Sequence, residues 1–386
     1  MTATRMNLPP ELWREVVCML HANEDRTTLQ SCQLVSKAWL QLTRPFVHEK
    51  VLLRSASQAV AFLGVLAQNP AIRPCVRTLE ISETRIGGNI DNAGRWLNKS
   101  LPSLVMHLPH VEKLVFVNVL HDALSSSSMI LLHHGFRRVR GLTLQRVRFA
   151  SSQDFNAFLS SFPELERVEL LNLQVVSHTV VRPDNSKWSV PKRLGVLDVD
   201  NVDWFIDSMD WITKSKSPSS LLDLTMPLLS DLARFGVIGS FLKSCVALER
   251  LCLQWQIHST TGYHGVGDAV KEHIDLSHNT NLRAIHLDLI CVLPLPDTDF
   301  SWVPRLLRQL PHLEEVKISI VFRSKVEHLD LFPWKALEDT FSRMCGLRES
   351  VWAFVVVMSL QRQAWNYVGE KLPELKQKGK LRFEEV

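Results

Sequence analysis

The stretch PELERVELLNL, residues 163–173, decides how most of the chain folds. Leu165, Val168 and Leu170 follow the spacing apolar-x-x-apolar-x-apolar, with charged Arg167 and Glu169 between them. Period-two alternation of this kind is a strand with one apolar and one polar face. The same phrase recurs on both sides. Upstream it reads Val76/Leu79/Ile81, Val111/Leu114/Phe116 and Val139/Leu142/Leu144. Downstream it reads Leu194/Leu197/Val199, Leu221/Leu224/Met226, Leu248/Leu251/Leu253, Leu282/Ile285/Leu287 and Leu313/Val316/Ile318. A tenth strand is expected within 351–357 and an eleventh at Leu381 and Phe383.

The units start 26 to 35 residues apart. That length holds a strand, a returning helix and two turns, the dimensions of a leucine-rich repeat, slightly stretched. Helices are expected over 59–68, 155–162, 228–244, 302–310 and 334–344. Leu108-Pro109, Phe162-Pro163, Leu310-Pro311 and Leu372-Pro373 mark helix exits, because proline cannot sit in a helix interior. The place eight residues past most unit starts, where a regular repeat often carries Asn or Cys, is apolar here, so turns without an asparagine ladder are expected. The fold class is therefore α/β, an irregular leucine-rich-repeat-like solenoid over 76–386. A closed barrel would need fully buried runs instead of alternation. No single unit buries its own apolar side, and stacking makes the core continuous.

The first fifty residues follow another rule. LPPELWREVVCML (8–20) carries Leu12, Val16 and Leu20 at helical spacing, and TLQSCQLVSKAWLQL (28–42) carries Leu29, Cys32, Leu34 and Val35, then Trp39, Leu40 and Leu42. Three short helices are expected, the third discouraged from continuing by Pro45. So small a unit cannot hide all of its apolar residues, and some must meet a partner or the rest of the chain.

These residues resemble an F-box: Leu8, Pro9 and Glu11, spaced aliphatics, then Leu34-Val35-x-Lys37-x-Trp39. The phrasing is similar to the large fungal group of F-box proteins with repeat-containing C-terminal regions, apart from a longer stretch at 21–28. The resemblance divides the chain into an F-box at 1–50, a linker helix within 51–75 and the repeats beyond. It implies a non-catalytic substrate receptor of an SCF-type ubiquitin ligase, docked on a Skp-type adaptor and, through it, on a cullin complex. Leu8, Pro9, Leu12, Val16, Leu20, Leu29, Leu34, Val35 and Trp39 are the adaptor-binding residues it points to. The alternative is a repeat scaffold outside ubiquitin transfer, whose helical head only caps the solenoid.

Composition fits this class. Lys and Arg number 44 against 40 Asp and Glu, a net charge of +4 that does not suit a dedicated nucleic-acid binder. The seven cysteines form no CxxC pair, so neither a zinc site nor a disulfide framework is expected, and no cofactor is implied. Hydrolase, zincin and P-loop motifs are missing, so no catalytic residue is nominated. Without an apolar leader or a membrane-length run, the expected location is cytoplasm or nucleus.

Recognition of a protein substrate falls to the polar strand face. Glu169, Asp198, Asp200, Asp223 and Asp288 occupy outward positions of the strands, and the first four, on adjacent repeats, are expected to cluster, a place for a basic segment of the substrate.

Overall fold

The computed structural model describes residues 9–23, 25–83, 95–121, 124–177, 189–200, 205–214, 217–228, 235–255, 266–291, 299–321, 326–355 and 358–384. The chain forms two compact units, Met1–Arg148 and Phe149–Val386.

The first unit opens with α1 (Pro10–Ala22), α2 (Arg26–Gln33) and α3 (Lys37–Val47). Pro10 takes the first position of α1, where its missing N–H costs nothing. The Asp25 carboxylate caps α2 by accepting from the Thr28 N–H at 3.0 Å. The Ser36 hydroxyl caps α3 by accepting from the Trp39 N–H at 3.3 Å. Pro45 does not end α3 as expected. It lies in the last turn, where one hydrogen bond is lost, and the helix closes when the His48 N–H donates to the Arg44 carbonyl.

The strands β1 (Lys50–Leu53), β2 (Thr78–Ser82), β3 (Lys113–Val117) and β4 (Gly141–Gln145) then pair in parallel. Their register aligns the repeated residues: Val51, Leu79, Leu114 and Leu142 are consecutive partners. The ladder begins one strand before the sequence repeat, because β1 opens the segment in which the helix α4 (Ala56–Gln68) was expected. Helices α5 (Leu97–His107) and α6 (Ser126–Gly135) fill the later returns.

The second unit repeats the scheme. A short two-stranded ladder joins β5 (Arg148–Ser151) to β7 (Gln174–Ser177). The main strands are β6 (Arg167–Leu171), β8 (Val196–Asp200), β9 (Asp223–Leu228), β10 (Arg250–Trp255), β11 (Ala284–Cys291), β12 (Glu315–Val321), β13 (Glu349–Val355) and β14 (Leu381–Glu384), all parallel in that order. Val168, Leu197, Leu224, Leu251, Ile285 and Val316 run across it as successive partners, all buried. The returns carry α7 (Ser152–Ser160), α8 (Phe205–Thr213), α9 (Phe235–Ser244), α10 (Val266–His273), α11 (Trp302–Arg308), α12 (Trp334–Ser342), α13 (Met358–Lys371) and α14 (Pro373–Gln377). Residue 228 ends a strand, and of the helix expected over 228–244 the structure describes α9 at Phe235–Ser244, residues 229–234 lying outside the described residues. In β13 the in-phase residues are Ser350 and Trp352, not Val351, and Trp352 is fully buried with its indole N–H donating to the Ser350 hydroxyl at 2.9 Å.

The turns hold a feature the repeat pattern hid. Asn118, Arg146 and Asn172 follow β3, β4 and β6, and each has a positive φ of 51° to 56°. Asparagine tolerates this left-handed conformation better than other side chains, and arginine pays about 1 kcal/mol. The Asn118 amide also donates to the Glu83 carbonyl of the preceding repeat at 3.3 Å. A partial asparagine device therefore exists, one residue earlier than the place expected for it.

Candidate functional site

The helical head exposes a row of apolar side chains. Helix α1 carries two apolar stripes. Trp13, Val17 and Leu20 turn inward, Val17 fully buried and Trp13 edge-on to Trp39 with ring centroids 4.6 Å apart. Leu12, Val16 and Met19 form the second stripe at i, i+4 and i+7 and are 43%, 41% and 64% exposed. Beyond the end of α2, Leu34 is 89% and Val35 67% exposed. Leaving five such residues in water forgoes roughly 1.5 kcal/mol or more for each fully uncovered one.

Of the residues nominated from sequence, Pro9, Leu12, Val16, Leu34 and Val35 are on the surface. Leu20 and Trp39 are half-buried. Leu29 is 1% exposed and belongs to the interior of the head. Leu8 lies outside the described residues. Met19 escaped the sequence reading, although its place three residues after Val16 on the same helical face marks it.

The strand face of the second unit brings the acidic residues together. Glu169 and Asp198 are register partners across β6 and β8. Asp200 is two residues along the same strand, and Asp223 pairs with Val196 beside Asp198. Two of the carboxylates have cationic partners, and a third has an imidazole beside it. The Arg167 guanidinium donates to Glu169 at 2.9 Å, Arg250 donates twice to one oxygen of Asp223, at 3.0 and 2.9 Å, and His286 lies 3.4 Å from Asp288. Asp288 stands apart from the others, at the irregular step in the β11–β12 register. Asp198 is half-buried in the middle of the group. Burial, and then the Glu169 charge, raise its carboxyl above the ordinary value, Arg167 only partly opposing them.

Next to this group the same row holds Cys252 and His286, register partners in β10 and β11. The Cys252 sulfur is 3.4 Å from His286 Nδ1, and His286 Nε2 is 2.8 Å from the Ser319 hydroxyl. In outline this is a thiol–imidazole pair. Its electrostatics run against a nucleophile. Burial, followed by Asp288, Asp198 and Asp223, pushes the thiol up to about 12. A protonated S–H then donates to Nδ1, and Nε2–H is left to donate to Ser319. Thiolate reactivity needs positive surroundings, and these are negative.

Alkylation checks this. At pH 8 iodoacetamide should label exposed Cys18 and Cys345 first, with Cys252 and Cys245 labelled only on unfolding, as peptide mass mapping will read. Labelling of Cys252 as fast as Cys18 would reopen a nucleophilic role.

Compared with known families, residues 6–46 match the F-box domain, so the exposed apolar row belongs to an F-box. F-box domains are in general the adaptor-docking modules of substrate receptors in SCF-type ubiquitin ligases. Comparison with curated proteins gives no match. Among solved structures the chain is similar to a Bacteroides fragilis protein determined as a structural-genomics target, with 12% identity and a TM-score of 0.39 over 87% of this chain and 73% of that one. Among the described residues no helix is long and apolar enough to cross a membrane.

Proposed function

We propose that the protein is a substrate-recognition subunit of an SCF-type ubiquitin ligase. The observation that carries this reading is the uncovered apolar row of the F-box, Leu12, Val16 and Met19 on α1 with Leu34 and Val35 after α2. A Skp-type adaptor covers it and links the chain to a cullin complex. Val17, Leu29 and Trp39 hold the row in place from behind. The leucine-rich-repeat-like region binds a protein substrate. Its contribution to rate is positional, raising the effective concentration of a substrate lysine at a thioester carried by another subunit. The test is affinity purification of the full chain and of a chain lacking residues 1–50. The full chain should recover adaptor and cullin and the shortened one neither. Recovery of neither by the full chain would leave a repeat scaffold outside ubiquitin transfer.

The substrate side of the reading rests on Glu169, Asp198, Asp200 and Asp223, with Asp288 further along the face. A basic segment of the substrate would give Asp198 the counter-charge that its surroundings withhold. Asp198→Asn with Asp200→Asn should reduce capture of basic proteins while adaptor recovery is unchanged. Equal capture would remove the acidic face from the account. Stability gives a second readout. The folded chain holds the Asp198 proton more tightly than the unfolded chain, whose ordinary value is 3.8. The destabilisation is therefore fully present above the raised folded pKa, fades as pH falls through it, and is gone below the unfolded value. Asp198→Asn should abolish that component in melts taken across this range.

A further inference from the structure

A cleft of about 480 Å³ lies in the first unit where the helical head meets the first two strands. That volume is in the range of small-molecule sites, roughly 300 to 1,000 Å³. Leu29 and Phe46 supply apolar lining, Arg26, Glu49 and Lys50 supply charge, and His21 adds an imidazole. Three of these four groups are engaged internally. His21 Nε2 is 3.0 Å from Glu49, with its ring 5.2 Å from the Phe46 ring, and the Lys50 ammonium is 2.7 Å from Glu80.

Arg26 is different. Its one contact among the described residues is a long donation, 3.5 Å, to the Lys50 carbonyl. A guanidinium carries five donors in a planar fork, so most of them are uncommitted. The cleft thus sets an unneutralised oxyanion binder beside an apolar and aromatic surface.

We propose that this cleft binds a small ligand in which a phosphate or carboxylate group is joined to a flat apolar body. The oxyanion takes the Arg26 fork and the body lies against Leu29 and Phe46. Glu49 opposes the anion, and its pairing with His21 lowers that opposition. Because the cleft is bounded by α1, α2, α3, β1 and β2, an occupant ties the head to the start of the ladder. The proposal is independent of the acidic strand face and of adaptor docking.

Calorimetric titration of the full chain at low salt tests it, with phenyl phosphate, benzoate and inorganic phosphate as probes. At least one of the two aromatic oxyanions should bind about tenfold more tightly than inorganic phosphate, since only they use the apolar lining. The tighter of the two identifies the oxyanion class. Arg26→Gln should weaken that probe about tenfold, the worth of a charge-assisted hydrogen bond. Arg26 is exposed, so the variant keeps its fold, which an unchanged melt verifies. Glu49→Gln should tighten binding. The proposal is overturned if neither aromatic probe binds better than inorganic phosphate, or if Arg26→Gln binds the probe as well as the unaltered chain.

Discussion

Leu34→Glu combined with Val35→Glu should eliminate adaptor recovery from the full chain while leaving its thermal melt unchanged. Both side chains are exposed in the isolated head, so replacing them removes no packing. Docking on the adaptor would bury them, and each fully covered aliphatic contributes about 1.5–3 kcal/mol. The double variant forfeits that and forces two carboxylates into a desolvated contact. A loss of about 4 kcal/mol is close to a thousandfold in affinity. Leu29→Ala should behave in the opposite way. It removes a buried side chain, costs about 2–5 kcal/mol of stability, and affects adaptor recovery only through the fraction unfolded. The pair of measurements separates the docking row from its support. Full adaptor recovery by the double variant, with the fold intact, would mean that Leu34 and Val35 are uncovered for another reason.

The parts of this architecture that could be read from sequence are those governed by alternation. Leu79, Leu114 and Leu142 are ladder partners because a period-two pattern with one buried face permits no slip of one residue. Where both faces are buried the phase is lost. Val351, Trp352, Ala353 and Phe354 are all interior, so their apolar run could not show that Ser350 and Trp352 are the in-phase pair. The run Val51-Leu52-Leu53 concealed β1 because it lacks polar spacers, although only Leu53 of the three is buried. In the head, Leu12, Val16 and Leu20 share one helical spacing, yet α1 has two apolar stripes and Leu20 belongs to the inward one. One packs inward through Val17 and the other ends in exposed Met19. Cys252 and His286 are 34 residues apart, yet each lies one place after the fourth residue of its unit. Aligning the units would have placed them side by side. The thiol's protonation depends first on its burial and then on Asp288, Asp198 and Asp223 from three other places in the fold, which no local pattern encodes.

Gly239→Ala should be among the most damaging single-methyl additions in the second unit, and it tests whether the helix layer is as tightly stacked as the strands require. In an open helix position alanine is more favourable than glycine by about 1 kcal/mol. At Gly239 a Cβ would fall inside the van der Waals shell of the His273 carbonyl oxygen, a backbone atom at the end of α10 that no rotamer change can move aside. The glycine in α9 is what lets the two helices approach. Forcing them apart costs about 3 kcal/mol or more, and in a stacked repeat array the disturbance passes to the neighbouring units. Gly64→Ala is the matched comparison. That position in α4 has nothing within 4 Å of the added methyl, so the ordinary helix preference should act alone and stabilise by about 0.5–1 kcal/mol. Urea melts of the two variants should therefore move in opposite directions. A Gly239→Ala protein as stable as the parent would show that α9 and α10 have room to separate, and with it the continuous stack that presents the Asp198 face would lose its mechanical basis.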